Sequence, residues 1–323
     1  MATVFHVNDR ISIIDCVDLG MKGRTSSYVL KEDKLTIVET SASPSIPHLL
    51  NGLTQLGFSP SDVSYVIVTH IHLDHAGGAG LFLEKCPQAK IVVHPKGARH
   101  LIDPSRLITG AKTVYQEKFE KLFTPIIPIN EEKIIVKEDR DTLNLSENCT
   151  LTFYNSPGHA NHHFSIHDSV SNGIFTGDAI GIFYQELLDH GLEFYLPSTS
   201  PNQFDPEAML MSAEMIEKLN PDYLYFSHFG ISHDPGKAIT NLRTWLPLFV
   251  DTAERICTKE GGKDTERLAS HVTTELENTI FGYLKRQNVA RSHSVYDILK
   301  IDLSVCAMGL VDYFTKKAKE KIS

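Results

Sequence analysis

The sequence predicts an α/β fold followed by a helical extension, and three observations indicate this. Short β-rich runs alternate with turn signals and helical segments over most of the 323-residue chain. Four of these runs end in histidine or aspartate. Past residue 238 glycines and β-rich runs thin out, and apolar residues follow helical spacing. We therefore predict two domains, residues 1–238 and 239–323, the second being a cap or a dimer interface.

The first third of the chain predicts a β-meander followed by a β-α-β unit. The runs "RISIID", "SSYVLKED" and "KLTIVETS" predict strands. The segment "SIPHLLNGLTQLGFSPSDV" predicts a helix, with Ser45 as its cap and Gly57 near its end. The β-branched run "VSYVIVTH" predicts a buried strand, "GGAGLFLEKCP" a short helix and "AKIVVHP" another strand.

In the rest of the chain, the sequence pattern predicts helices, then strands, then helices again. "KGARHLIDPSRL" and "GAKTVYQEKFEKLF" indicate helices, and "CTLTFYNSPGH", "SNGIFTGD" and "PDYLYFSHFG" indicate strands ending in polar residues. After residue 238 the spacing of apolar residues predicts long helices. The last of them carries an apolar stripe that supports a cap or a dimer interface: Val295, Leu299, Val305, Met308 and Phe314.

Composition limits the classes of partner. The net charge is -9 and the pI is near 6.0, which argues against nucleic acid as the partner because such proteins usually carry a basic surface. The five cysteines are widely spaced, odd in number and without a CxxC pair, as expected of reduced thiols. We find no signal-peptide pattern and no long apolar run. We expect a cytoplasmic protein with a small-molecule substrate, no membrane partner and a homodimer as one possible assembly.

The stretch "VTHIHLDHAGG" at residues 68–78 places three histidines and one aspartate within six positions. These side chains cannot share one helix face, whereas a tight loop after a strand spreads them in two directions. Such a loop suits two metal ions, since a catalytic zinc takes about three protein ligands plus water. Together with the polar residues at the other strand ends, seven groups are available: His70, His72, Asp74, His75, His159, Asp178 and His228.

The motifs "THIHLDHAGG", "SPGHANHH", "FTGDA" and "FSHFG", in this order, resemble those of the metallo-β-lactamase fold superfamily over residues 1–238. The resemblance implies a four-layer αβ/βα sandwich with metals at one edge. It implies that one ion binds the first set of ligands, a second ion the second set, and that Asp178 bridges them together with a water or hydroxide. The first set is His70, His72 and His159, and the second is Asp74, His75 and His228.

The chain also departs from the family pattern. "GHA" replaces the common "GHT" beside His159, and Glu39 stands where the family usually has an aspartate after an early strand. A longer carboxylate at that position is still able to orient a metal-binding histidine. Phe183, Tyr184, Phe194, Tyr195 and Phe204 follow Asp178 and predict either packing of a loop on the sheet or an aromatic wall for an apolar substrate.

The function implied by the resemblance is that of a dinuclear metal-dependent hydrolase acting on a lactone, ester or thioester. Zinc is the first choice of ion, with manganese or iron as alternatives. Asp74 or Asp178 would move the proton, and Tyr184 would donate a hydrogen bond to a substrate carbonyl. Three alternatives stay open: a mononuclear iron dioxygenase acting on persulfides, a phosphodiesterase or nuclease, and a non-catalytic binding module.

Overall fold

The computed structural model of the protein describes residues 3–261 and 264–320. The chain forms two compact units. The first contains Met1–Asn155, His162–Gly177 and Pro221–His233, and the second contains Ser156–Asn161, Asp178–Asn220 and Asp234–Ser323. The domain boundary between residues 238 and 239 stays a prediction, because the second unit contains residues from both sides of it.

The first unit begins with a seven-stranded mixed sheet, in which neighbouring strands follow chain order. The first four strands pair with one another in antiparallel fashion. From the fourth strand to the seventh, each strand pairs with the next in parallel fashion. The carboxyl ends of parallel strands meet at one edge, where α/β proteins commonly place ligands. The strands are β1 Val4–His6, β2 Ile11–Asp15, β3 Ser26–Leu30, β4 Leu35–Val38, β5 Val63–Ile67, β6 Lys90–Val93 and β7 Ile134–Val136.

Six α-helices accompany this sheet in the described part of the chain. They are α1 Ile46–Gln55, α2 Leu73–Ala76, α3 Ala79–Lys85, α4 Pro95–Ile102, α5 Ser105–Tyr115 and α6 Phe119–Phe123. Leu49 of α1 and Phe82 of α3 are buried with Val66 of β5 in one apolar cluster. Ser45 precedes α1 as predicted, although its side chain makes no capping hydrogen bond. Gly57 lies just after the helix at φ +81°, where a glycine is favoured.

A six-stranded sheet completes the first unit. Its spatial order is β15-β14-β11-β10-β9-β8, with β11 and β14 parallel. One face packs against the first sheet through a cluster that contains Tyr28, Phe153, Phe164 and Phe175. The rings of Tyr28 and Phe175 meet edge to face at 5.1 Å. The strands are β8 Thr142–Asn144, β9 Thr150–Asn155, β10 Phe164–Asp168, β11 Gly173–Gly177, β14 Tyr223–Phe226 and β15 Ile231–Ser232.

The second unit contains the predicted helical extension. A short hairpin of β12 Ile182–Phe183 and β13 Tyr195–Leu196 precedes α7 Pro206–Lys218. The last three helices are α8 Pro235–Glu260, α9 Thr265–Arg286 and α10 Val295–Glu320. No helix among the described residues combines the length and the apolar character needed to span a membrane. All five cysteines are free thiols, as predicted.

The apolar stripe of the last helix is buried inside the second unit. Val295, Leu299 and Phe314 are at most 8% exposed, as their spacing predicted. The prediction was wrong for Val305 and Met308, which are only half-buried. Their places in the stripe are taken by Leu303, Cys306 and Leu310. The stripe is therefore core of a single chain, and it no longer supports a dimer interface.

A buried ion pair in the first unit offers a test of the fold. The Arg10 guanidinium contacts the fully buried Asp168 carboxylate, which also accepts from the Ser171 amide at 3.1 Å. We expect Asp168→Asn to lower the free energy of unfolding by about 3 kcal/mol, because Arg10 then keeps its charge beside a neutral partner. Urea unfolding of the purified variant measures this change.

Glu275→Gln serves as the matched control for Asp168→Asn. Glu275 pairs with Arg255 at 3.4 Å, and both side chains are more than half exposed. Solvent screens such a pair, so the control should lose less than about 1 kcal/mol. Equal losses in the two variants would contradict the structural role given to Asp168.

Candidate metal centre

The histidine-rich loop follows β5, a strand with parallel neighbours on both sides. His70 lies in the loop, and His72 directly precedes the single turn of α2. The amides of His75 and Ala76 both donate to the His72 carbonyl, at 3.0 and 2.8 Å. A tight loop after a strand is thus present, as predicted. It does not separate the rings of His70 and His75, whose centroids lie 4.0 Å apart.

One group of three predicted ligands comes together within the first unit. The donor atoms of Asp74, His75 and His228 all lie within 4.8 Å of one another. Asp74 Oδ2 is 3.6 Å from His75 Nε2 and 3.5 Å from His228 Nε2. Two ligand atoms that share one tetrahedral zinc at about 2.1 Å lie roughly 3.4 Å apart. These residues therefore fit a divalent ion both in chemistry and in spacing.

His70 and His72 form a second feature of the same unit. The Nε2 atom of His70 faces the Nδ1 atom of His72 at 3.0 Å. The other nitrogen of the His70 ring, Nδ1, lies 3.1 Å from the Thr69 hydroxyl. His70 is fully buried, so its ring orientation is fixed by packing as well as by hydrogen bonding. The two ring nitrogens that face each other are the pair available to an ion.

Two further histidines surround the His70 ring. His163 stacks on it with ring centroids 4.9 Å apart, and the ring of His162 lies nearly parallel to it at 6.2 Å. A Cβ atom at Gly177 would lie 2.4 Å from His163 Nε2, so only glycine leaves room for that imidazole. His162 is only 6% exposed, and its ring meets that of His72 edge to face.

Glu39 connects two ligand-bearing segments. Its Oε1 atom accepts hydrogen bonds from the Thr69 amide at 3.1 Å, from the Thr69 hydroxyl, and from the Ser227 hydroxyl at 3.3 Å. Its Oε2 atom lies 3.5 Å from His75 Nδ1. Thr69 precedes His70 and Ser227 precedes His228. One carboxylate therefore sets the loop after β5, the loop after β14 and the ring of His75.

The backbone of Glu39 is strained. Its φ is +70° and that of Ser41 is +59°, a region that side-chain-bearing residues rarely adopt. The Ser27 hydroxyl donates to the Glu39 carbonyl at 2.7 Å, and the Glu39 amide donates to the Ile67 carbonyl at 2.8 Å. Strain of this kind persists only where surrounding contacts hold it, and it concentrates at functional sites.

His159 and Asp178 belong to the second unit and lie side by side there. His159 Nε2 is 3.5 Å from Asp178 Oδ2, and both residues are 2% exposed. His159 Nδ1 is 2.9 Å from the Ser198 carbonyl, which can only accept. The proton is therefore on Nδ1, and Nε2 keeps the lone pair that a metal ligand needs. The Ser198 hydroxyl donates to Asp178 Oδ2 at 2.9 Å.

The aromatic residues after Asp178 pack inside the second unit. Phe194 lies 5.9 Å from the ring of Trp245 and 5.4 Å from that of Tyr283. The Tyr184 hydroxyl donates to Asp302 Oδ2 at 3.0 Å, and Tyr184 is 1% exposed. The alternative of loop packing accounts for these contacts. The hydrogen bond from Tyr184 to a substrate carbonyl stays a prediction.

The structure adds an ion pair that the sequence did not indicate. Asp18, in the loop between β2 and β3, is 2% exposed and lies 3.5 Å from Arg24 Nε. Burial raises the pKa of Asp18 to about 6, with the charge of Asp74 acting in the same direction and Arg24 and His228 opposing it. No motif marks either residue, and only the fold brings the pair into the electrostatic range of the ligands.

The chain belongs to the metallo-beta-lactamase superfamily, because the model of that family matches residues 20–228. The predicted fold is confirmed, with its helical region at the carboxyl end. The metallo-beta-lactamase fold-containing protein ST1585 of Sulfurisphaera tokodaii is 24% identical over 207 residues, which are 63% of this chain and 72% of that protein.

The crystal structure of ST1585 superposes with a TM-score of 0.66 at 18% identity, covering 93% of this chain and 98% of that one. Residues 239–323 are about a quarter of the chain, so this match includes most of the helical extension.

Two further relatives carry names that state an activity. The N-acyl homoserine lactonase AttM of Rhizobium radiobacter is 30% identical over 145 residues, 44% of this chain and 49% of that protein. The rubredoxin-oxygen oxidoreductase of Megalodesulfovibrio gigas is 27% identical over 74 residues, 23% of this chain and 18% of that protein. The chain therefore spans about half of the lactonase and less than a fifth of the oxidoreductase.

Glu39→Gln tests the carboxylate that joins the ligand-bearing segments. The amide keeps the size of the side chain but removes its charge and one acceptor oxygen. We expect metal affinity to fall 10- to 100-fold, as is typical when a residue that orients metal ligands is substituted. Competition with a chromophoric chelator measures it.

Glu32→Gln is the control for Glu39→Gln, since Glu32 contacts Arg10 and Ser146 instead of any predicted ligand. Its metal affinity should equal that of the wild type. Unchanged affinity in Glu39→Gln would contradict the role of this carboxylate.

The raised pKa of Asp18 predicts a pH dependence in the metal-free protein. Between about pH 4 and pH 6 the unfolded chain has lost this proton while the folded chain retains it, so stability falls as the pH rises. The shift from 3.8 to about 6 corresponds to roughly 3 kcal/mol across that window. Urea unfolding in chelator from pH 4 to 7 should show this slope in the wild type and lose it in Asp18→Asn.

Asp297→Asn provides the comparison for Asp18→Asn, because the Asp297 side chain is 72% exposed. This variant should keep the wild-type slope. If both variants show the wild-type slope, Asp18 does not retain its proton in the folded protein.

Proposed function

We propose that the chain is a dinuclear metal-dependent hydrolase. One ion would be held by His70, His72 and His159, the other by Asp74, His75 and His228, and Asp178 would serve both. Membership of the family supports this proposal, as does the presence of every predicted ligand. The observation that carries it is the group of Asp74, His75 and His228, whose donor atoms have the spacing of ligands on one ion.

Bound divalent ions would supply Lewis acidity and lower the pKa of a water molecule. The chain's own residues orient the ligands and move protons. Asp178 accepts from the Ser198 hydroxyl and its side chain is 3% exposed, which suits a fixed ligand. The Asp74 side chain is 25% exposed, so its carboxylate is the better placed of the two to take a proton and pass it on to a leaving group.

Carbonyl compounds are the proposed substrates, with lactones first and esters and thioesters next. The net charge of -9 disfavours polyanionic substrates such as nucleic acids. The similarity to an N-acyl homoserine lactonase supports the same class, over the half of that protein that the chain spans. Zinc is the proposed ion because imidazole and carboxylate ligands suit it.

Metal content and substrate turnover test the proposal together. We expect two divalent ions per wild-type chain and hydrolysis of at least one compound in a panel of lactones and thioesters. His70→Ala should bind fewer ions, and its turnover should fall at least about 100-fold, because Lewis-acid stabilisation is worth several kcal/mol. His271→Ala, at an exposed position, should match the wild type.

Other outcomes would identify a different enzyme. One iron per chain, with oxygen consumed in the presence of a persulfide, would replace the proposal with a mononuclear dioxygenase. Turnover confined to phosphodiesters would indicate a nuclease-like enzyme. Equal turnover by the wild type and by His70→Ala would exclude this centre as the site of reaction.

A further inference from the structure

The segment Pro197–Ser200 lies beside the two ligands of the second unit. The Ser198 carbonyl is the acceptor that fixes the proton on His159 Nδ1, and the Ser198 hydroxyl donates to Asp178. The Ser200 hydroxyl lies 3.4 Å from the His159 carbonyl. Ser198, Thr199 and Ser200 are all at most 8% exposed. A shift of this segment would therefore move the groups that orient both ligands.

Helix α10 holds the other side of the same segment. The Thr199 hydroxyl donates to the Cys306 carbonyl at 2.8 Å, and the Cys306 thiol donates to the Pro197 carbonyl at 3.4 Å. Burial raises the pKa of Cys306 to about 12, so the thiol retains the proton that it donates. Two hydrogen bonds in opposite directions thus tie one turn of α10 to the segment.

Gly309 brings the helix into backbone contact. A Cβ atom at this position would lie 2.4 Å from the Thr199 carbonyl oxygen and 2.7 Å from the Ser200 carbonyl carbon. Both are backbone atoms, so a larger side chain cannot be accommodated by a change of rotamer. The absence of a side chain at residue 309 is what allows α10 to approach the segment this closely.

The contacts continue along one face of α10. Asp312 accepts from the Asn202 amide at 3.0 Å, and Lys316 donates to the Asn202 carbonyl at 2.8 Å. Cys306, Gly309 and Lys316 are spaced as neighbours on one helix face. Helix α10 packs on α8 and α9, which makes it a rigid support. The carboxyl-terminal helix and the segment are therefore joined along three turns.

We propose that α10 is a positioning element for the metal centre. It holds Pro197–Ser200 in place, so that Ser198 keeps His159 and Asp178 in the orientation and tautomer that bind metal. This inference rests on the proposed function, since it takes both residues as ligands. It assigns to the helical extension a role in metal affinity that a cap over the substrate does not have.

Thr199→Val tests the proposal with little change of shape, because it removes the hydroxyl that donates to Cys306 and keeps the volume. We expect the ion assigned to His70, His72 and His159 to bind 10- to 100-fold more weakly, and the other ion, which shares only Asp178 with this segment, to lose less affinity. Thr199→Ser retains the hydroxyl and should retain both affinities. Titration of the metal-free protein with Co²⁺, followed by its visible absorption and by chelator competition, measures each site.

Gly309→Ala tests the backbone contact, with Gly282→Ala as its control. A Cβ atom at Gly282 meets only the flexible end of Arg286, at 3.5 Å. We expect Gly309→Ala to weaken the same ion as Thr199→Val and to alter its Co²⁺ spectrum, whereas Gly282→Ala leaves both unchanged. If Gly309→Ala does not fold, the Thr199 pair decides the question alone.

A double variant tests whether the effect passes through Ser198. Ser198→Ala removes the hydroxyl bonded to Asp178, and the double variant Ser198→Ala with Thr199→Val should lose less affinity than the sum of the single losses. Strictly additive losses would overturn the route through the Ser198 hydroxyl to Asp178.

The inference and the proposed function fail in different ways. A wild-type protein that binds no more than one ion overturns the dinuclear centre and the inference with it. A wild type with two ions, whose Thr199→Val variant binds both as tightly as Thr199→Ser does, overturns only the positioning role of α10.

Discussion

The buried carboxylate of Glu39 is the constraint on which the predicted ligands of the first unit depend. It lies at the end of β4, where the parallel strands of the sheet present their carboxyl ends. Its oxygens contact Thr69 and His75 in the loop after β5 and Ser227 in the loop after β14, so two segments far apart in sequence share one carboxylate. A charge buried at 2% exposure needs such partners to offset its desolvation, and the ligand-bearing loops supply them.

In the second unit, the groups that orient the predicted ligands are neutral and belong to Ser198. A backbone carbonyl at Ser198 selects the His159 tautomer, and a hydroxyl from the same residue orients Asp178. A buried polar group without a hydrogen-bond partner lowers the stability of the fold. The two contacts that Ser198 makes therefore also stabilise the folded chain. The ligands are consequently held by residues that no metal-binding motif contains. Changes at those residues alter affinity without changing the ligands themselves.

The sequence indicates candidate ligands but gives no sign of the residues that hold them in place. The spacing of His70, His72, Asp74 and His75 is local, and a strand followed by a tight loop suffices to interpret it. Ser198 and Gly309 carry no signal of their own, because Ser198 contacts residues 39 and 20 positions away and Gly309 contacts Thr199 across more than a hundred residues. The stripe on α10 was predicted in part: helical spacing marked its ends, whereas the register at its centre depends on packing that periodicity alone does not contain.

The central claim is that one chain holds two ions on the seven predicted ligands. Anomalous scattering from crystals of metal-reconstituted protein, recorded at the absorption edge of the bound metal, tests it most directly. We expect two peaks per chain, one bound by Asp74, His75 and His228 and the other by His70, His72 and His159. A single peak, or a peak bound by other residues, would contradict it.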